Sequence, residues 1–172
     1  MKSERLSGWL PVFANVGVII GIVFLIVELD QANRISRYSA ENTRRSQFME
    51  INLSRIEYAD VYAKIQANDT ELTRPEKVQA LMMVRQLMNT WFDAESAYNY
   101  GLLSEETFEG TLIDVSVSLS EAPGFMPFVA YLYYSYCHED DASLVLSRIA
   151  EILKGANIER NSNEIYNPTA ED

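Results

Sequence analysis

WLPVFANVGVIIGIVFLIV, residues 9–27, is the stretch from which the rest of the chain is read. Nineteen successive residues carry no charge, and Asn15 is the one clearly polar side chain among them. At about 1.5 Å per residue, a helix of this length reaches roughly 28 Å, close to the hydrocarbon thickness of a bilayer. Every backbone N–H inside such a helix finds a carbonyl within the segment, which is the condition lipid imposes. The stretch predicts one transmembrane helix over residues 9–27, preceded by a short N-terminal tail, residues 1–8. A cleaved secretory signal is the rival reading, since Lys2 and Arg5 supply a basic start. The apolar run is longer than the roughly 7–15 residues of a signal core. Cleavage after Ala32 would place Asp30 where a small residue is needed, and Val12-Phe13-Ala14 comes too early. A retained anchor is therefore expected.

Gly17 and Gly21 lie four residues apart within the span and share one helix face. Two such faces can approach closely in lipid, and Asn15 can add an interhelical hydrogen bond. This makes Gly17, Gly21 and Asn15 a candidate face for homodimerisation, although glycine is common in membrane helices in any case. Four arginines (Arg34, Arg37, Arg44, Arg45) follow the span, against Lys2 and Arg5 before it. Basic residues stay on the cytoplasmic side, so a single-pass protein of the inner membrane with its C-terminal domain in the cytoplasm is expected.

Residues 28–47 are polar, and no glycine or proline falls between Ile22 and Arg74. The helix is expected to leave the membrane as a stem, residues 28–47, and to become the first helix of a domain at 48–155. Phe48, Ile51, Leu53, Ile56, Val61, Tyr62 and Ile65 are available to pack there. A coiled coil is not well supported, because Asn42, Arg45 and Asn52 occupy positions where apolar residues are needed.

The order of a short polar start, a span, and then Val27-Glu28-Leu29-Asp30-Gln31-Ala32-Asn33-Arg34 resembles a family of uncharacterised bacterial membrane proteins. Glu95, Tyr98, Gly101 and the Ala122-Pro123-Gly124 turn add to that similarity. The resemblance implies one N-terminal span joined to a helical domain, and it brings no activity with it.

Downstream, the helical signals are local and explicit. Thr73 with Glu76 three residues later is a capping-box pattern, and Pro75 suits the first turn. Val78, Leu81, Met82, Met88, Trp91, Phe92 and Tyr98 recur at helical spacing, and Gly101 supplies a stop. Ser104 is the next expected N-cap, with Leu103 placed to staple against Phe108. Its buried stripe would be Phe108, Leu112, Val115 and Leu119, ending at Pro123-Gly124. Phe125–Cys137 is strongly apolar but too short to span a bilayer, and reads as a core helix. Asp140 or Asp141 is expected to cap a last helix carrying Val145, Leu146, Ile149, Ile152 and Leu153, with Gly155 as its end. Residues 156–172 form a polar tail. The fold class is all-α: a transmembrane helix continuing into a stem, then a small helical bundle of about four further helices.

The net charge of −11 is uneven, +1 over residues 1–65 and −12 over residues 66–172. An acidic domain repels phosphates, so no nucleic acid is expected as partner. One cysteine, Cys137, excludes an internal disulfide, and with one histidine, His138, it falls short of a four-ligand zinc site. Adjacent helical side chains diverge by about 100°, so Cys137 and His138 make a poor nucleophile–base pair. Glycine-rich phosphate loops and nucleophile elbows are absent from the sequence. No catalytic, cofactor or metal residues are assigned. Two functions remain. One is a membrane-anchored, non-catalytic interaction protein whose partners are the lipid bilayer, a membrane or cytoplasmic protein, or a second copy. The other is a helical domain holding a small apolar ligand in a pocket lined by Met82, Trp91, Phe92, Tyr98 and Tyr133.

Overall fold

The computed structural model describes residues 3–69, 71–136 and 142–158, all of them helix, turn or loop. Six α-helices follow one another: α1 Ser3–Glu57, α2 Ala59–Gln66, α3 Arg74–Asn99, α4 Glu105–Glu121, α5 Met126–Tyr136 and α6 Leu144–Gly155. A single 3-10 turn, Pro123–Phe125, joins α4 to α5. The chain divides into two compact units, Met1–Ser39 and Ala40–Asp172.

The first unit holds the N-terminal part of α1, where every side chain described from Phe13 to Ser39 is exposed. Phe13–Glu57 is a helix long and apolar enough to cross a membrane, and none of its most apolar stretch is buried. Below the apolar run Arg34 pairs with Asp30 at 3.1 Å, one turn away. Such an exposed pair adds only tenths of a kcal/mol.

In the second unit the core is built on α3. Leu81, Val84, Leu87, Met88 and Trp91 are buried there, and α4, α5 and α6 contribute Phe108, Val115, Leu119, Phe128, Val129, Val145 and Ile149. The expected stripe of α4 is observed, with Leu112 only partly buried. Along α3 the face is rotated from the expected one. Val78 and Met82 point outward, while Val84, Leu87 and Ala94 take the inner positions. On α1, likewise, Ile51 reaches the core whereas Leu53 and Ile56 are exposed.

Helix ends follow the local chemistry, with two corrections. The backbone N–H and the hydroxyl of Thr73 both donate to Glu76 Oε2, at 2.7 and 2.9 Å. Ser104 Oγ accepts from Thr107 N–H at 3.2 Å. Gly101 closes α3 with φ +69°, and Leu102 N–H donates back to Ala97 C=O at 2.8 Å. That 6→1 bond needs a left-handed residue at Gly101, where any Cβ is strained. Helix α6 ends at Gly155 as expected, but the glycine is its last helical residue and not the left-handed one. Asn157 takes the left-handed position (φ 57°), and Ile158 N–H returns to Leu153 C=O at 3.0 Å. Asn157 substitutes because its short polar side chain tolerates this conformation. Packing extends past the expected tail boundary at 156, because Ile158 is buried and its carbonyl accepts from Tyr134 OH at 3.2 Å. The N-cap of α6 is Ser143, whose Oγ accepts from Leu146 N–H at 3.0 Å. Asp140 and Asp141 lie outside the described residues.

One helix more than expected arises because the chain breaks at Tyr58, with φ −113° and ψ 41°. No glycine or proline forces it; the ladder resumes on both sides, from Tyr58 N–H to Ser54 C=O and from Tyr62 N–H to Tyr58 C=O. The cause is tertiary. Redirected α2 buries Val61 and Ile65 and lays Ile65 against the Pro123–Phe125 turn. Tyr62 meets the Phe125 ring at 6.1 Å, and Arg55 stacks over Tyr62 at 5.1 Å. At Gly124 a Cβ would sit 2.6 Å from the Ile65 carbonyl oxygen and 3.0 Å from its Cα. Both are backbone atoms and cannot swing aside. Gly124→Ala is therefore expected to destabilise the helical unit by about 1–3 kcal/mol. Denaturant unfolding followed by circular dichroism measures it, and an unchanged midpoint would refute the tight approach.

A second tie joins α2 to α3. Lys64 Nζ donates to Glu76 Oε1 at 2.8 Å, the carboxylate that also caps Thr73. The lysine, and then the two Thr73 donors, lower the Glu76 pKa from 4.5 to about 2. The Glu76 partner raises that of Lys64. A carboxylate with a depressed folded pKa stabilises above its unfolded value and loses that contribution as it protonates. Acid titration should thus weaken the wild-type fold between about pH 4.5 and 2, as these two pKa values require. Glu76→Gln should flatten that part of the stability curve; an unchanged acid limb would count against the tie.

Candidate functional site

Gly17 and Gly21 occupy α1 with open space at both: a Cβ added to either would meet no atom within 4 Å. Asn15 is exposed on the same helix. Within one chain these residues touch nothing that would explain two glycines, and the small face they form is open. Around them Val18, Ile19, Val23 and Phe24 are 54–65% exposed, a contiguous apolar surface of the kind that marks an interaction or membrane site.

The five residues considered for a pocket are spent differently. Trp91 is fully buried, and its indole Nε1–H donates to Asp114 Oδ2 at 2.8 Å, joining α3 to α4. Tyr98 stacks on Phe108, centroids 4.6 Å apart and planes 8° from parallel. Phe92 and Tyr133 are partly buried against the core, and Tyr133 meets Tyr134 edge-on at 5.0 Å. Met82 is 48% exposed. Nine residues separate it from Trp91, which at about 100° per residue puts the two on opposite faces of α3. The structure does not bring Met82 and Trp91 together, and it gives Trp91 and Tyr98 packing partners of their own.

Charged chemistry is sparse. Among the described residues no group of three or more His, Cys, Asp or Glu side chains is placed to hold a metal ion. Cys137, His138 and Glu139 lie outside the described residues. Asp93, exposed on α3, accepts from Gln47 Nε2 at 2.6 Å and so ties α1 to α3.

Glu95 is the polar feature that sequence reasoning underplayed. It is only 7% exposed, and it receives two donors from the start of α6, Ser143 Oγ–H and the Leu144 backbone N–H, the latter at 2.6 Å. A helix N-terminus presents unpaired N–H groups and a positive dipole end, so a carboxylate there is both acceptor and counter-charge. Ser143 caps its own helix while donating to Glu95, so the junction is a relay of Leu146 N–H, Ser143 Oγ and Glu95. One signal was available in advance: Glu95 lies four and seven residues after Trp91 and Met88, on the same apolar stripe. A carboxylate on a core stripe needs donors from elsewhere in the fold. The arrangement binds α6 to α3 with both carboxylate oxygens accepting hydrogen bonds.

No family model, curated protein or solved structure matches this chain.

Proposed function

We propose that this chain is a single-pass, membrane-anchored, non-catalytic interaction protein of the bacterial inner membrane. The observation that carries the reading is α1: its apolar segment is fully exposed and long enough to cross a bilayer. Exposing so continuous an apolar surface to water is unfavourable at roughly 25 cal/mol per Å², and lipid removes that cost. The arginines that follow the span support a cytoplasmic helical unit under the positive-inside rule. Gly17 and Gly21, with their open face, are where a second span would settle. The helical unit, with Trp91, Phe92, Tyr98 and Tyr133 packed in or against its core, serves as the presenting module for a protein partner.

Alkaline carbonate extraction is the test. The full chain is expected to stay in the membrane pellet, and a reporter fused after Asp172 should behave as cytoplasmic. Release into the supernatant would overturn the anchor, and periplasmic reporter activity would reverse the topology.

A further inference from the structure

Met49, Leu53 and Ile56, three large apolar side chains beyond the apolar run of α1, are 65%, 62% and 73% exposed. At about 100° per residue they fall within roughly 60° of one another and lie opposite Ile51, the side chain that α1 buries in its own core. Counting from this exposed face puts Ser46 and Leu53 at one heptad core position and Met49 and Ile56 at the other. Arg45 and Asn52, which break the heptad in the sequence-based register, then move to the flanks. Arg45, which pairs with Glu41 one turn earlier at 2.6 Å within the chain, stands five residues before Glu50, the spacing at which flanking charges meet across a parallel pair, so the contact requires it to exchange or share that exposed partner.

From this face and its flanking charges we infer that residues 46–56 of α1 form a parallel, in-register contact with a second copy of the chain, Met49 and Ile56 each meeting their own counterpart and Arg45 meeting Glu50 of the second copy. The inference rests on the membrane reading. Two chains anchored by the same segment enter the aqueous phase parallel and at the same depth, so each residue faces itself. The contact is isologous and closes on itself, so it gives a dimer and not a filament. Two heptads are fewer than the roughly three to four that a free coiled coil needs. Confinement to one bilayer supplies the remainder by raising the effective concentration of the second copy.

Disulfide mapping of the full-length chain in native membranes tests this. With Cys137→Ser as background, single variants Met49→Cys, Ile56→Cys and Glu50→Cys are oxidised and run on a non-reducing gel. Met49→Cys and Ile56→Cys are expected to give several-fold more of a species at twice the chain mass than Glu50→Cys. Adding Arg45→Glu to Met49→Cys should lower that yield, and adding Glu50→Arg to both should restore it. Arg45, Met49, Glu50 and Ile56 are exposed, so substitution there leaves the core intact, and the Cys137→Ser chain is the reference for all of them. Equal cross-linking at every position, an adduct of some other mass, or monomer alone in a carbonate-resistant pellet would overturn the contact while leaving the anchor intact. Loss of the chain from the pellet would instead overturn the anchor and this contact with it.

Discussion

Replacing Trp91 with alanine should cost the helical unit about 3–5 kcal/mol, the largest loss expected from any single substitution in it. Trp91 is 0% exposed and sits where α3 meets α4. Truncation removes the largest fully buried side chain among the described residues and leaves a cavity that the surrounding helices close only in part. It also takes the indole donor from Asp114 Oδ2. Trp91→Phe separates the two effects. It keeps most of the volume and loses the hydrogen bond, so about 1–2 kcal/mol is expected, the cost of one unpaired half-buried acceptor. Typical domain stabilities of about 5–15 kcal/mol make the alanine variant marginal at growth temperature. Denaturant unfolding of the chain in detergent, followed by circular dichroism, gives both values. If Trp91→Ala falls below Trp91→Phe in cost, the residue lines a space that tolerates truncation, and the ligand-pocket reading would regain support.

The features legible in the sequence were those whose cause lies within a few residues. Thr73 and Glu76 are three apart and cap each other; Gly101 meets a backbone requirement of its own turn; Ser104 serves the next three residues. The all-α class followed from the same signals repeated. What could not be read has a distant cause. The break at Tyr58 exists because Ile65 must reach Gly124, some sixty residues downstream. Val78 and Met82 share a helical period with Leu81 and Met88, and only the neighbours of α3 decide which arc turns inward. The end of α6 at Gly155 was legible, whereas the left-handed Asn157 that closes it is followed by Ile158, whose burial depends on the distant Tyr134 and core. For the candidate site the divide is the same. Gly17 and Gly21 were visible because their pattern is local. The exposed face of Met49, Leu53 and Ile56 became distinct only once Ile51 was seen to take the inner side.

Glu95→Ala is the second large effect, expected to cost about 2–4 kcal/mol because two donors at the start of α6 lose a charged acceptor together. The loss is not the simple removal of a contact. Leu144 N–H belongs to the first turn of its helix and has no partner within it, so without Glu95 it loses its acceptor at a part-buried junction. Ser143 keeps its own bond to Leu146 N–H, so the helix itself should persist while its docking on α3 loosens. Glu95→Gln retains one acceptor oxygen for Leu144 but turns an amide toward Ser143, and an intermediate cost of about 1–2 kcal/mol is expected. Hydrogen exchange separates docking from global stability. In Glu95→Ala the amides of Leu146–Ile149 should exchange faster by a larger factor than those of Leu87 and Trp91 in α3. If both sets accelerate equally, the junction has no stability of its own, and Glu95 acts on the whole unit. If neither changes, the carboxylate is not holding α6, and its burial would call for another ligand.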